Sequence, residues 1–320
     1  MLVGYARDST GEQDPNRQVK ELEKARKERI RKYARKFLPH WVFVIRRHWI
    51  AARGRWIDWN RLIRPRTFNE KVRHRILFDR RAVLTQVADK AAVRDYVEAR
   101  LGRYLLPERY YITLDPDTIP FDKLPDRFVV KPTHGSGWIQ IVTDKSTLDR
   151  AILIETCRGW LRQSYYEASG EWVYKNIEPR IIVEQFIDDG TGNFPNDYRL
   201  FVFDGAVEMI QVDTGRFSIH SRSRLYTATW EKLPVWYDCK DISGEVPRPR
   251  HLQQMIAAAE ALGRGLDFIR ADFYDTPDRV YFGELTTTPL AGWGAFRPTE
   301  FDHYLGSRWK LLNIRALRER

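Results

Sequence analysis

Apolar positions recur along the chain in two rhythms, and the change from one to the other marks its organisation. Over the first hundred residues the rhythm is helical. Asp14-Pro15 reads as an N-cap followed by proline at the first helical position, opening a charged helix that runs to about residue 36. After Pro39, the residues Trp41, Ile45, Trp49 and Ile50 fall near one face of a second helix over residues 41–59, with Gly54 ending or bending it. Thr67-Phe68-Asn69-Glu70 is a capping box, in which hydroxyl and carboxylate each accept from a backbone N–H that the helix leaves unpaired, so a helix starts there. Another is predicted over residues 91–101, stopped by Gly102. Residues 2–6 alone have strand character in this region.

From residue 127 strands dominate. Residues 127–131 and 139–142 are predicted to flank a tight loop, His134-Gly135-Ser136-Gly137, as a hairpin. Residues 148–166 return to helical spacing. Residues 180–186, 198–203 and 207–212 are strands, the last two joined at Asp204-Gly205, and residues 249–262 are helical. Residues 268–274 and 279–285 pair across Pro277-Asp278, followed by a loop rich in glycine and proline and two short terminal helices. Antiparallel strands with segregated helices predict an α+β fold. The expected division is a basic, aromatic segment at 1–60, a helical lead-in at 61–126, a catalytic body at 127–312 and a tail at 313–320.

Composition narrows the class. With 320 residues, 43% of them apolar, the chain can bury a large core, which excludes disorder as its general state. Cys157 and Cys239 have neither metal-ligand spacing nor a disulfide framework and read as reduced thiols. The strongest apolar run, residues 41–45, is far too short to span a membrane, and no signal peptide opens the chain, so a cytoplasmic protein is expected. Residues 17–66 hold seventeen Lys and Arg against four acids, a surplus larger than the net charge of +11 of the whole chain. Together with Trp41, Trp49, Trp56 and Trp59, this suits a peripheral anchor on an anionic inner membrane surface. A merely solvated helix face accounts for the charge equally well, and nucleic acid is the less favoured partner.

Four elements carry candidate chemistry. Lys131 ends a strand just before the Gly135-Ser136-Gly137 loop, where exposed backbone N–H groups can cradle phosphate beside a compact positive charge, although glycine hairpins without ligands are common. Glu184 ends the apolar strand Ile181-Ile182-Val183 and leads to Asp188 and Asp189, as an adenine edge and ribose hydroxyls would require, or as any core strand with a solvated end. Period-two alternation puts Arg270, Asp272 and Tyr274 on one face, and hairpin pairing brings Glu284 close to Asp272. Two carboxylates beside an arginine suit Mg²⁺, or else form an ordinary cross-strand ion pair.

In this order, these motifs resemble the ATP-grasp superfamily, and more closely its TupA-like family, associated with teichuronopeptide and cell-surface polysaccharide biosynthesis. The residues that carry the resemblance are Pro65 to Lys71, Ala88-Asp89-Lys90, Phe128 to Trp138, Tyr174 to Arg180, Asp197-Tyr198-Arg199 and Phe282 to Pro289, within residues 61–312. The resemblance implies an ATP-grasp fold and ATP and Mg²⁺ as cofactors. It implies that Lys90 and Lys131 contact the phosphates, Gly135, Ser136 and Gly137 cover them, and Glu184 sits at the adenine hinge. Asp272, Glu284 and Thr286 would bind metal, with Thr286 standing where the wider superfamily has asparagine, and Arg270 would stabilise the transferring phosphoryl group.

The activity so implied is carboxylate–amine ligation through an acyl phosphate, with an amino acid, peptide or uronic-acid glycan as substrate. A kinase on the same scaffold is the alternative within enzymes, and a nucleic-acid binding protein the alternative outside them. The latter is suggested by the opening residues 1–13, which resemble a serine recombinase and would supply Arg7 and Ser9. That likeness ends near residue 25, short of the roughly hundred residues such a domain needs to build a core, so it is read as non-functional.

Overall fold

The computed structural model describes residues 59–215, 222–238, 241–242 and 244–312. The elements predicted before residue 59, the recombinase-like start with Arg7 and Ser9, nearly all of the basic segment, and Cys239 lie outside the described residues. Among those described, no helix is long and apolar enough to cross a membrane.

A short helix α1 (Trp59–Ile63) leads to α2 (Phe68–Phe78), and Thr67 caps α2 with the reciprocal Glu70 bond that the sequence predicts. Such a box stabilises a helix start by about 1 kcal/mol. Helices α3 (Ala82–Ala88) and α4 (Ala92–Leu101) follow, with Gly102 at positive φ closing the second. Strand β1 (Arg109–Thr113) then lies within the segment predicted to be a purely helical lead-in. It was missed because its residues, Arg-Tyr-Tyr-Ile-Thr, are nearly all half-buried and show no alternation.

Strands β2 (Phe128–Pro132) and β3 (Gln140–Val142) form the predicted hairpin. The single helix expected over 148–166 is instead two, α5 (Arg150–Leu161) and α6 (Tyr165–Ser169), because Ser164 restarts the chain as a new N-cap on Glu167. Strand β4 (Ile181–Gln185) completes an antiparallel sheet in the order β1-β4-β2-β3.

The second sheet is built from β5 (Asp197–Phe203), β6 (Ala206–Thr214) and β7 (Arg222–Tyr226), then, after β8 (Trp236–Tyr237) and helix α7 (Leu252–Gly263), from β9 (Phe268–Asp275) and β10 (Val280–Thr286). Its order is β10-β9-β5-β6-β7, antiparallel throughout. The β5–β6 turn uses positive φ at Asp204 and Gly205, as the Asp-Gly pair predicts. The small pairing partner of β8 is β11 (Phe296–Arg297), and α8 (Glu300–Arg308) is the one terminal helix among the described residues, where two were expected.

Alternation along the strands decides where the core sits. Leu200, Val202, Ile210, Val212, Ile269, Ala271 and Phe273 turn to one face of the second sheet and pack on α3, α4 and α7. On the other face Phe201, Phe203 and Phe268 meet Phe68 of α2 and Trp309. The first sheet packs Phe128, Val130, Ile181 and Val183 on Leu153 and the buried Cys157 of α5. Burial pushes the Cys157 thiol up to about 12, as befits an inert reduced cysteine.

Candidate functional site

Between the two sheets lies a cavity of about 600 Å³. Lys90, in the turn between α3 and α4, and Lys131 of β2 line it from one side, with Ser136 and Gly137 of the hairpin loop. Arg199 of β5, Arg270 of β9 and Glu284 and Thr286 of β10 line it from the other.

The lysines are held in place rather than left to swing. Lys131 Nζ is 2.5 Å from a Glu184 carboxylate oxygen, and the other oxygen of Glu184 accepts from Arg94 at 3.0 Å. Glu184 is buried, so this pairing fixes it in the wall of the cavity. The adenine-hinge role expected of Glu184 thus meets a residue whose carboxylate grips a lysine, while Asp188 and Asp189, expected at the ribose, are engaged by Arg127 and by their own loop. Lys90 Nζ donates to the carbonyl of Gly135. Gly135 thus braces a lysine of the site with its carbonyl, while Ser136 and Gly137 line the cavity. Burial, and secondarily Lys131, brings the Lys90 ammonium down to about 8, against the opposing pull of Glu284, Glu184 and Asp89.

On the other wall, strand pairing does the assembly. Arg270 and Asp272 share a face of β9, and Arg270 donates through Nε and one terminal nitrogen to the two Asp272 oxygens at 2.7 and 2.6 Å. The same terminal nitrogen reaches Glu284 at 3.2 Å and the Thr286 hydroxyl at 3.0 Å. Glu284 stands opposite Asp272 because the β9–β10 register shifts between Phe282 and Glu284. Without that bulge Glu284 would oppose Ala271 and point into the core. Gly283 permits it, since a Cβ there would sit 3.0 Å from the Asp272 carbonyl oxygen.

Arg199, unassigned in the sequence reading although it stands in the Asp197-Tyr198-Arg199 motif, belongs to this wall. It lies 2.6 Å from Asp213, 3.3 Å from Asp197 and 3.6 Å from Asp272. The pairing that places it there joins β5 to the distant strand β9, where Arg199 stands in register with Asp272, and no local pattern announces that neighbour. Arg224 of β7 is buried and pairs with Asp241 at 2.9 Å, a structural role.

Four carboxylates (Asp197, Asp213, Asp272, Glu284) thus face two guanidiniums, and a divalent cation would complete the neutrality of the network. Burial, with Glu284 adding to it, pushes Asp272 up to about 6 despite Arg270 and Arg199. No group of three His, Cys, Asp or Glu able to hold a metal occurs among the described residues. The donors present fit Mg²⁺ in the way such sites are usually made: Asp272 and Glu284, with the Thr286 hydroxyl beside them, supply a few hard oxygens and leave the remainder to phosphate and water.

The family model for TupA-like ATP-grasp proteins matches residues 70–310. No curated protein matches the chain. Among solved structures, the ATP-grasp ligase PsnB complexed with a minimal precursor is similar at 13% identity and TM-score 0.38, over 65% of this chain and 54% of that one. D-alanine–D-alanine ligase from Bacillus anthracis complexed with ATP is similar at 17% and 0.39, over 64% and 55%. D-cycloserine synthetase DcsG is similar at 16% and 0.38, over 71% and 72%. The chain therefore spans just over half the length of the first two.

Proposed function

Since the chain belongs to the TupA-like ATP-grasp family, we propose that it is an ATP-dependent carboxylate–amine ligase acting in cell-surface polysaccharide or teichuronopeptide biosynthesis. The observation that carries this reading is the opposition, across one cavity, of Lys90 and Lys131 to the Arg270–Asp272–Glu284 cluster. A polyphosphate between them would meet the two lysines on one side and, on the other, Arg270 and the Mg²⁺ that Asp272 and Glu284 would hold.

In the proposed reaction a carboxylate oxygen of the substrate bonds to the γ-phosphorus of ATP and ADP departs, leaving an acyl phosphate. An amine then bonds to the acyl carbon, inorganic phosphate leaves, and the nitrogen gives up a proton. Little covalent work falls to the protein, so positioning and charge compensation dominate. Lys131 and Lys90 hold phosphate oxygens, with Ser136 and Gly137 of the loop closing over them. Arg270 meets the charge that develops on the transferring group. Asp272 and Glu284, assisted by Thr286, would hold Mg²⁺, which supplies Lewis-acid neutralisation of the phosphate oxygens when bound. Acid and amine are an amino acid, a peptide or a uronic-acid glycan. Attachment to an anionic membrane surface through residues 17–66 is part of the same proposal.

Saturating Mg-ATP is expected to raise the melting temperature, because the site exists only in the folded chain. At a hundredfold excess over Kd the gain is about 2.7 kcal/mol. An unmoved midpoint together with no calorimetric heat of binding would sink the reading. ADP release that rises on adding an amine to the acid identifies a ligase, whereas amine-independent release with a phosphorylated product identifies a kinase.

Lys90 gives the site a pH signature. Its folded-state pKa lies below the ordinary lysine value, so it loses its charge as pH rises through about 8. Nucleotide affinity should weaken over that interval, and Lys90→Arg, which stays charged, should flatten the profile. An identical alkaline decline in the variant removes Lys90 from phosphate binding.

A further inference from the structure

A second depression, of about 460 Å³, shares no lining residue with the nucleotide cavity. Its walls are Asn60, Arg61, Arg64, Arg66, Glu70 and His303. Among the described residues, three arginines therefore stand around one acid, and that acid is already committed: Glu70 accepts from the backbone N–H of Arg66 at 2.8 Å and of Thr67 at 3.2 Å. Its other oxygen lies 3.7 Å from Arg61. Asp302, beside His303, is spent on the N–H of Asn69 at 3.0 Å. Among the described residues neither Arg64 nor Arg66 has an acidic partner, so the depression keeps a surplus of positive charge.

The backbone beneath these side chains is fixed. Pro65 separates Arg64 from Arg66, and the capping box holds Arg66 and Thr67. Gly306 of α8 packs so closely on Arg66 and Thr67 that no Cβ would fit there. Lys71 of α2 adds a bond to the Gly306 carbonyl at 2.7 Å. The backbone that carries Arg64 and Arg66 is thus set before any ligand arrives, which lowers the ordering cost of binding to the side chains alone.

We infer that this depression binds the phosphate group of a phosphoester or diphosphate. Arg64 and Arg66 each offer a planar fork of N–H donors that no acid among the described residues occupies. A phosphate presents three terminal oxygens and up to two charges, which matches them in number and sign. The volume admits more than one phosphorus centre. Two sources supply this chemistry: a soluble phosphoester, or the headgroup of an anionic lipid.

The test uses the full chain with its nucleotide cavity saturated by a non-hydrolysable Mg-ATP analogue, so that added phosphate cannot report from that cavity. Inorganic pyrophosphate and vesicles containing phosphatidylglycerol are each titrated against the wild type, against Arg64→Ala/Arg66→Ala, and against the corresponding double Lys variant. Both arginines are exposed, so the fold should persist, and unchanged affinity for the ATP analogue verifies it. The expected result is pyrophosphate binding that weakens at least tenfold in the double Ala variant and recovers only in part with Lys. Vesicle binding lost in step assigns the site to lipid phosphate. Pyrophosphate binding with vesicles indifferent to the variants assigns it to a soluble phosphoester. Absence of both kinds of binding in the wild type, or equal binding in the double Ala variant, overturns the inference and leaves the nucleotide cavity untouched.

Discussion

Glu284→Gln is expected to reduce Mg²⁺-dependent ADP release by roughly 10²–10³-fold, the loss typical when a charge-stabilising group at a reacting centre is removed. The side chain keeps its shape and loses its charge, which leaves Arg270 bound to Asp272 but removes one of the two carboxylates proposed for the metal. Glu284 is about one-third exposed, so the fold should tolerate the change. Asp272→Asn should be equally inactive but less stable, because Asp272 is 1% exposed and accepts from Arg270 through both of its oxygens. Breaking a buried pair of that kind costs about 3–5 kcal/mol. Steady-state ADP release and thermal melts of both variants separate the effects. Near-normal turnover in Glu284→Gln would return the cluster to a structural ion pair.

The other large effect is expected at Arg75, which does not line the cavity. This guanidinium is 1% exposed, pairs with Asp267 at 2.7 Å, donates to the carbonyls of Phe268 and Thr287, and lies 4.4 Å from the Trp309 ring centroid. Asp267 also takes Arg81 at 2.7 Å and the Trp309 indole N–H at 2.7 Å. One network thus ties α2, the start of β9 and the chain beyond α8. Arg75→Ala should destabilise the protein by about 3–5 kcal/mol, since it opens a buried ion-pair network and leaves Asp267 with Arg81 as its one remaining cationic partner. For a body of this size that lowers the melting temperature by roughly 6–20 °C. Burial would raise the pKa of Asp267, but Arg75 and Arg81 outweigh it and hold the carboxyl at about 2. A depressed carboxylate contributes stability above its unfolded pKa of about 3.9 and loses that contribution as pH falls through about 2. The gap between wild type and Arg75→Ala should therefore be widest near neutral pH and narrow in acid. A gap independent of pH would assign the effect to lost packing alone.

Local signals located most of the framework. The capping box at Thr67, the Asp204-Gly205 turn, the β2–β3 hairpin and the pairing of β9 with β10 each depend on neighbours within a few residues, where chain connectivity leaves few alternatives. β1 and β7 escaped because neither is joined to its partner by a tight hairpin, unlike the edge strands β3 and β10, so the sheet each joins selects it rather than a local turn. The break between α5 and α6 escaped for the opposite reason: apolar spacing continues across Ser164, and a single side-chain cap overrides it.

The candidate site divides along the same line. By itself the sequence determined which groups are available: two lysines, a glycine loop, an arginine between acids, and a strand phase that puts Arg270 and Asp272 on one face. Those follow from residue identity and period-two geometry. Only the tertiary structure decided how they meet. The Gly283 bulge turns Glu284 from core to cavity, Glu184 holds Lys131 of the first sheet and Arg94 of α4, and Arg199 joins the Arg270–Asp272 wall from β5. Each of these is a contact between segments distant in sequence, fixed by register and burial, and neither register nor burial is defined until the sheets have formed.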